Sequence, residues 1–241
     1  MLKIFPELKN SFLFFSGILL ICFTVSMGVR FQQFENWKKT PFAFFVGERP
    51  MMTTLDAPYW LRWAREYNEG IFGEKDRLRN YPEGTDIFHE RYVKESSLPL
   101  KYSDHAPSIN NSYLPNENTS ISYRDVPLLS FMIAYIAPLF NYNYYLTGTL
   151  LIPVLASLFI LPLGIYFFKI GVPLSGLLGG LIGTFAGGYF MRSSIGRIDT
   201  DMLNLFFPFI SSLLILLACR AKFERTVLLF SVGLGLSLFF F

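Results

Sequence analysis

The sequence predicts an all-α, polytopic membrane protein, and three observations lead to this fold class. Hydrophobic residues make up 52% of the 241-residue chain, 27 residues are Phe and only 16% are charged, which is more apolar surface than a soluble core of this size can bury. The apolar residues are gathered into separate runs, several of them close to the roughly 20 residues that a membrane-spanning helix needs. The basic residues between these runs are compatible with one orientation under the positive-inside rule.

The first predicted element is a transmembrane helix within residues 1–29. Its apolar run extends from Phe12 to Val29 and follows Lys3 and Lys9, the arrangement of a secretory signal or a signal anchor. The length of the run and the lack of an A-x-A cleavage site favour an uncleaved signal anchor with a cytoplasmic N-terminus.

A large outer loop, residues 30–144, is expected to follow and to contain short helices. The apolar run 126–140 is too short to span a bilayer, so an interfacial or re-entrant helix is predicted there. If this run does not span, the basic residues that follow it fall on the cytoplasmic side together with those at the N-terminus. These residues are Lys169, Arg220, Lys222 and Arg225.

Residues 145–241 are predicted to form transmembrane helices 2–5. Their apolar runs are 145–168, 172–189, 203–218 and one that begins near Val227. A second, short outer loop at 191–201 would share the outer (periplasmic) face of the cytoplasmic membrane with the large loop. The last run reaches Phe241 without a polar cap, so the sequence is expected to be truncated within a helix.

Several classes of site are disfavoured by composition. The net charge is only +3 and the basic residues are scattered, which gives no footprint for nucleic acid. Cys22 and Cys219 lie in apolar runs and offer neither metal-ligand spacing nor a disulfide framework. His89 and His105 stand alone among polar residues, and surface-loop positions are expected for both.

A first candidate site residue, Asp56, opens a segment with apolar residues at helical spacing up to Tyr67. Pro58 in the first turn and Gly70 just past the end are typical helix boundaries, so Asp56 is interpreted first as a helix cap. A capping carboxylate is also able to face a cavity and bind a ligand there.

The short outer loop brings four charged residues to one membrane boundary: Arg192, Arg197, Asp199 and Asp201. Ionisable residues at such a position often mark a site. In an extended stretch Asp199 and Asp201 would face the same way and suit Mg²⁺ or Mn²⁺. Solvated loop charges, with Asp201 capping the next helix, are the alternative. The two arginines oppose the positive-inside trend, which is understandable if they face the aspartates or a phosphorylated ligand.

These motifs together resemble the catalytic subunit of oligosaccharyltransferases. The resemblance lies in Leu55-Asp56-Ala57-Pro58-Tyr59-Trp60, in the sequence from Asn80 to Gly84, in Val126-Pro127-Leu128-Leu129-Ser130, and in Arg192 followed by Asp199-Thr200-Asp201. The resemblance covers nearly the whole chain, and it is to the bacterial and archaeal members of the family. The fold that it implies is the transmembrane bundle of polyprenyl-phosphate-dependent (type C) glycosyltransferases.

The activity that the resemblance implies is transfer of an oligosaccharide from a polyprenyl-phosphate carrier to Asn in Asn-x-Ser/Thr. Asp56 and Asp199 would bind Mg²⁺ or Mn²⁺, with Asp56 also near the acceptor amide. Asp201 would support the same metal site, Arg192 would hold the carboxylates in place, and Arg197 would contact the substrate. The partners would be the lipid-linked oligosaccharide, an acceptor polypeptide and membrane lipid, with no nucleic acid.

The family's catalytic Glu and its Trp-Trp-Asp acceptor motif would lie beyond Phe241, so the 241-residue chain alone is expected to be inactive. Three alternatives stay open: another type C glycosyltransferase, a transporter in which the loop charges line a path, and a non-catalytic assembly subunit. The Asp-x-Asp in the second outer loop argues against the first. The lack of charges inside the apolar runs argues against the second.

Overall fold

A computed structural model of the chain describes residues 11–70 and 126–240. The chain divides into two compact units, one formed by Met1–Arg65 with Pro127–Phe241 and the other by Glu66–Val126. Of the second unit, only residues 66–70 and 126 are described. The predictions for Asn80–Gly84, His89 and His105 fall outside the described residues.

The N-terminal helix α1, Phe12–Lys39, is 28 residues long and continues ten residues past the predicted end of the membrane run. Its start is fixed by the Ser11 hydroxyl, which accepts a hydrogen bond from the backbone N–H of Phe14 at 3.2 Å. It ends at Thr40 because Pro41 opens a separate short helix, α2, Pro41–Phe44.

A small hairpin follows, the one exception to an all-helical architecture within the described residues. Strands β1, Phe45–Val46, and β2, Arg49–Pro50, pair antiparallel around a turn in which Gly47 has a φ of +63°. Helix α3 then spans Ala57–Asn68, close to the helix predicted from the periodicity, and Gly70 beyond it has a φ of +74°.

The run 126–140 forms helix α4, Leu128–Ile136, and a 3-10 turn, Ala137–Phe140. The predicted second membrane helix is divided into α5, Tyr144–Ser157, and α6, Ile160–Lys169. The division lies one turn before Pro162, which has no N–H to donate to the preceding turn and therefore weakens the helix there.

The apolar run 172–189 is divided into two shorter helices. Helix α7, Pro173–Phe185, ends at Ala186, whose ψ of 122° is not helical, and α8, Gly187–Arg192, begins directly after it. A 3-10 helix, Thr200–Leu203, precedes α9, Phe206–Arg220. The last described helix is α10, Glu224–Phe240.

Three of the described helical stretches are long and apolar enough to cross a membrane: Phe12–Lys39, Tyr144–Lys169 and Thr200–Arg220. Leu128–Phe140 and Pro173–Phe185 are apolar but shorter. The first of these corresponds to the run 126–140, for which an interfacial or re-entrant helix is predicted. The 13 residues of α7 are fewer than the spanning helix predicted at 172–189.

Two hydrophobic clusters hold these helices together. One joins α3, α4 and α5 to the segment before α9 through Leu61, Ile133, Ile152 and Met202. The other joins α1, α6 and α7 through Phe15, Leu19, Leu163 and Leu177. Helices α1 and α10 leave other large apolar side chains exposed, among them Leu20, Ile21, Leu228 and Leu229, as expected of surfaces that face lipid.

Candidate functional site

The loop between α8 and the 3-10 helix, residues 193–199, is attached directly to the segment before α3. The N–H of Thr53 donates to the carbonyl oxygen of Gly196 at 2.9 Å. The Thr54 hydroxyl donates to the carbonyl oxygen of Ile198 at 3.3 Å. Two motifs more than 130 residues apart in the sequence are therefore joined by hydrogen bonds close to Asp56 and Asp199.

Gly196 makes this attachment possible. Its φ is +80°, a conformation that side chains disfavour. A Cβ atom there would lie 2.5 Å from Cη2 of Trp37 and 2.6 Å from the carbonyl oxygen of Met51. The residue at 196 has to be glycine because the backbone of the loop runs against an indole ring and another backbone at once.

Gly148 in α5 provides a second close approach beneath the loop. A Cβ atom at this position would lie 2.6 Å from Cδ1 of Ile198 and 3.0 Å from Cδ2 of Leu61. Helix α3 and the loop thus rest on the same point of α5, which fixes the two motifs to one support.

Asp56 lies at the start of α3, but its side chain is not the cap. Its carbonyl oxygen accepts from the N–H groups of Tyr59 and Trp60, at 3.0 and 3.2 Å. The side-chain cap is the hydroxyl of Thr54, which accepts from the N–H of Ala57 at 3.2 Å. Within the described residues the Asp56 carboxylate accepts no hydrogen bond, and the residue is exposed.

Asp199 caps the 3-10 helix. Its backbone is extended, with φ −153° and ψ 163°, and its Oδ1 accepts from the N–H of Thr200 at 2.7 Å. The sequence alternative had given the capping position to Asp201, which instead lies within the first turn. The extended stretch predicted through both aspartates therefore ends at Asp199, because the helix begins one residue later.

Burial raises the pKa of Asp199, and the negative charges of Asp201 and Asp56 raise it further. The hydrogen bond from Thr200 and the charge of Arg197 lower it in part. Burial is the larger effect, and the charges of both other aspartates add to it.

Asp201 is fixed by two partners. Its Oδ2 lies 3.2 Å from the Nη1 of Arg192, and its Oδ1 accepts from the Nδ2 of Asn204 at 3.0 Å. The Arg192 side chain is 66% exposed and that of Asp201 16% exposed. Arg192 therefore orients one carboxylate while most of its own surface stays accessible.

Whether this cluster suits a divalent cation depends on its ligands and their spacing. Three carboxylates supply the oxygen ligands that Mg²⁺ and Mn²⁺ prefer, and a cation would offset the charges of Asp201 and Asp56, which add to burial in raising the pKa of Asp199. Among residues 11–70 and 126–240, however, no three His, Cys, Asp or Glu side chains are close enough together to hold a metal ion. The chemistry of a metal site is present in part, and its ligand geometry is not complete.

Arg197 lies beside this cluster. The residue is half-buried, and its Nε is buried with no hydrogen-bond partner among the described residues. An unpaired buried donor is uncommon in folded proteins. It is the one loop arginine whose charge lowers the pKa of Asp199.

Arg30 is a residue that the sequence did not single out. It lies on α1 and is completely buried. Its Nε donates to the carbonyl oxygen of Ser193 at 3.1 Å, and its Nη2 donates to the Ser193 hydroxyl at 2.8 Å. The other bonds go to Ser26 and to the carbonyl oxygen of Thr184.

Around Arg30 the side chains of Ser26, Ser157 and Thr184 form a hydrogen-bonded group. The Ser26 and Ser157 hydroxyl oxygens are 2.7 Å apart, and the Thr184 hydroxyl donates to that of Ser26 at 3.2 Å. The Arg30 guanidinium carbon also lies 5.1 Å from the centre of the Phe190 ring. A single arginine at the end of an apolar run was the signal available in the sequence, since such a charge is costly unless it is paired.

No protein-family model matches this chain, and no curated protein is similar to it in sequence. The likeness to oligosaccharyltransferases consequently rests on the residues quoted above and on their arrangement. That arrangement is an acidic cluster at the end of a helical bundle, bordered by two arginines and supported by a third.

Proposed function

We propose that this chain belongs to a membrane glycosyltransferase that moves an oligosaccharide from a polyprenyl-diphosphate carrier to the Asn of an Asn-x-Ser/Thr sequence. One observation carries the proposal. Asp56 is brought to the Asp199–Asp201 loop from a distant part of the chain by hydrogen bonds from residues 53–54 to residues 196–198, and the charges of Asp56 and Asp201 both act on Asp199.

The properties of the three carboxylates fit different tasks. Asp56 is exposed and accepts no hydrogen bond within the described residues, so it is available to an acceptor amide N–H. Asp199 and Asp201 are partly buried and oriented by Thr200, Asn204 and Arg192. Carboxylates held in this way are preorganised, because their geometry is set before the substrate binds.

Asp56 and Asp199, supported by Asp201, would hold Mg²⁺ or Mn²⁺. When bound, the ion would supply polarisation of the reacting groups and offset negative charge on the leaving diphosphate. Arg192 would keep Asp201 in position through the ion pair at 3.2 Å. Arg197, with its buried unpaired Nε, would contact the anionic substrate.

The location we propose is the cytoplasmic membrane, with the N-terminus in the cytoplasm and the site on the outer face. Three helical stretches able to cross a membrane support a membrane location. The Asp56 segment and the 193–199 loop are bonded to each other, which supports one shared side for the two motifs. The basic residues Lys169 and Arg220 lie at the far ends of α6 and α9 from this site, as the positive-inside rule favours.

The direct test is transfer of a labelled lipid-linked oligosaccharide to a peptide containing Asn-x-Thr, using the whole protein in membranes. We expect Asp56→Asn and Asp199→Asn each to lower the rate by about 100-fold, the size of loss typical for removing one ligand or electrostatic partner. Each substitution removes a charge and keeps the shape of the side chain.

The matched control is Glu224→Gln, which removes an exposed carboxylate from the first turn of α10 and should leave the rate unchanged. A peptide with Gln in place of the acceptor Asn should not be modified. Wild-type rates in both the Asp56 and Asp199 variants would exclude the proposed site.

A further inference from the structure

The C-terminal ends of α6 and α9 carry a surface of exposed basic residues. The Nη1 of Arg220, the last residue of α9, donates to the carbonyl oxygen of Lys169, the last residue of α6. This hydrogen bond joins the turn that follows α6 to the turn that follows α9. Lys222 lies between α9 and α10, and Arg225 is the second residue of α10. All four residues are exposed, and together they are called the basic surface.

The basic surface lies at the opposite end of α9 from the acidic cluster. Asp201 is in the 3-10 helix that precedes α9, whereas Arg220 ends α9. At a rise of 1.5 Å per residue, the 15 residues of α9 alone extend over about 22 Å. The basic surface is therefore separate from the residues assigned to the transfer reaction.

The positive charges of the basic surface have little compensation. Glu224 is the one acidic residue in the sequences 169–172 and 220–225. Within the described part of the chain, none of the four basic residues forms an ion pair. Arg220 uses one N–H group for the Lys169 carbonyl and keeps its other donors. Like charges on one surface repel one another, so an anion bound among them would be favourable.

Large apolar side chains are exposed beside these charges. Ile170 follows Lys169 and is 40% exposed, and Phe223 follows Lys222 and is 73% exposed. Such side chains are unfavourable in water and favourable at the boundary between lipid headgroups and acyl chains. Basic and apolar side chains that alternate in this way favour a ligand with both a phosphate group and acyl chains over a soluble anion.

We propose that the basic surface binds the headgroup of an anionic phospholipid. The phosphate accepts charge-assisted hydrogen bonds from the guanidinium and ammonium groups of the basic surface, and the acyl chains contact the exposed Leu228 and Leu229 of α10. In the membrane orientation proposed above, this lipid belongs to the cytoplasmic leaflet. The inference does not depend on glycosyl transfer, because it concerns different residues at the other end of the bundle.

The binding test uses the purified chain in a nonionic detergent, with phosphatidylglycerol as the probe and phosphatidylcholine of the same chain length as the neutral comparison. Native mass spectrometry across a lipid titration measures both affinities. Phosphatidylglycerol should bind at least about tenfold more tightly, and Lys222→Gln/Arg225→Gln should lose this preference, since each basic residue near an anionic headgroup contributes roughly fivefold. Equal affinity of the wild type for the two lipids would overturn the proposal.

The matched control is Lys38→Gln/Lys39→Gln, which removes two exposed positive charges from the far end of α1 and should bind phosphatidylglycerol like the wild type. Lys222→Arg/Arg225→Lys keeps both charges and should retain most of the affinity. Circular dichroism checks that each variant folds, and Arg225→Gln alone replaces the double variant if that does not fold. An equal loss in the Lys38 and Lys39 control would show an effect of net charge only and would contradict a site at the basic surface.

Competition distinguishes a lipid from a soluble anion. Glycerol 3-phosphate at the concentration of the lipid should leave phosphatidylglycerol bound, because it lacks the acyl chains. Displacement by glycerol 3-phosphate would mean that the basic surface binds a soluble phosphate compound, against the proposal. Asp56→Asn and Asp199→Asn should bind phosphatidylglycerol like the wild type, so failure of the transfer reaction and failure of the lipid site would be seen separately.

Discussion

Arg30 and Arg192 contact the two ends of the segment 193–201 in very different ways. Arg30 is completely buried and bonds only to neutral oxygens, those of Ser26, Thr184 and Ser193. Arg192 is largely exposed and makes an ion pair with Asp201. Arg30 fixes the backbone at the C-terminal end of α8, whereas Arg192 orients the Asp201 carboxylate.

The contrast between Arg30 and Arg192 separates residues that stabilise the fold from residues that are available to a ligand. A buried guanidinium has to be satisfied by fixed partners, because an unpaired one would be too costly in an apolar interior. An exposed ion pair contributes little to stability and can exchange one partner for a ligand. We therefore expect large stability effects at Arg30 and around Gly196, and small ones among the charged residues of the loop.

The largest effect is expected for Arg30→Met. The Ser193 carbonyl and hydroxyl groups and the Thr184 carbonyl would each lose a donor, which should lower the free energy of unfolding by about 3 kcal/mol. Chemical denaturation in detergent micelles measures it. Arg30→Lys, which retains the charge with fewer donors, should lose less. Full stability in the Met variant would mean that the polar group around Arg30 is dispensable.

The next effect is expected for Gly196→Ala. The new Cβ would collide with Trp37 and with the Met51 carbonyl at a φ of +80°, so the loop has to move, at a cost of about 2 kcal/mol. Gly188→Ala is the matched control, since its Cβ would meet nothing within 4 Å. Thermal unfolding of the two variants measures this cost. Equal melting temperatures would show that the close approach at position 196 does not require glycine.

A smaller effect is expected from the exposed ion pair. Arg192→Gln and Asp201→Asn should each change the free energy of unfolding by no more than about 0.5 kcal/mol. A double-mutant cycle measures their coupling directly. A coupling energy well above about 1 kcal/mol would remove the contrast with Arg30.

The smallest effect concerns pH. The pKa of Asp199 is raised in the folded protein, so the folded state binds this proton more tightly than the unfolded state does. Its contribution to stability is complete below the unfolded pKa, about 4, and is lost as the pH rises through the folded pKa. Asp199→Asn retains a capping oxygen and removes the charge, so it should be more stable than the wild type at neutral pH and equal to it in acid. Unfolding curves across this pH range measure the difference, and a less stable variant at neutral pH would contradict it.

Local sequence patterns predicted those helices whose boundaries are set by residues at the helix ends. Pro58 and Gly70 bracket α3 correctly, because a proline in the first turn and a glycine at positive φ act through their own backbones. The run 172–189 was expected to be one helix, and its length and polarity gave no sign of the break at Ala186. Glycines on both sides, Gly183 and Gly187, lower helix propensity there and are a signal in retrospect.

For the candidate site, the residue types were predictable and their contacts were not. The attachment of the Asp56 segment to the 193–199 loop depends on hydrogen bonds from Thr53 and Thr54 to backbone oxygens, which carry no sequence signature. Which aspartate caps the 3-10 helix depends on a two-residue difference in where that helix starts. The burial of Arg30 depends on Ser193, a residue 163 positions away, so no local pattern contains it.

That separation has a consequence for how the protein is made. During synthesis, α1 emerges long before Thr184 and Ser193, the residues whose oxygens accept from the Arg30 guanidinium. A charged side chain inside a bilayer without partners costs about 2.5–3.5 kcal/mol, so the nascent α1 should hold Arg30 at the lipid–water boundary until α8 has been inserted. The final depth of the first helix is then fixed by the chain that follows it, as a late step of insertion rather than an early one.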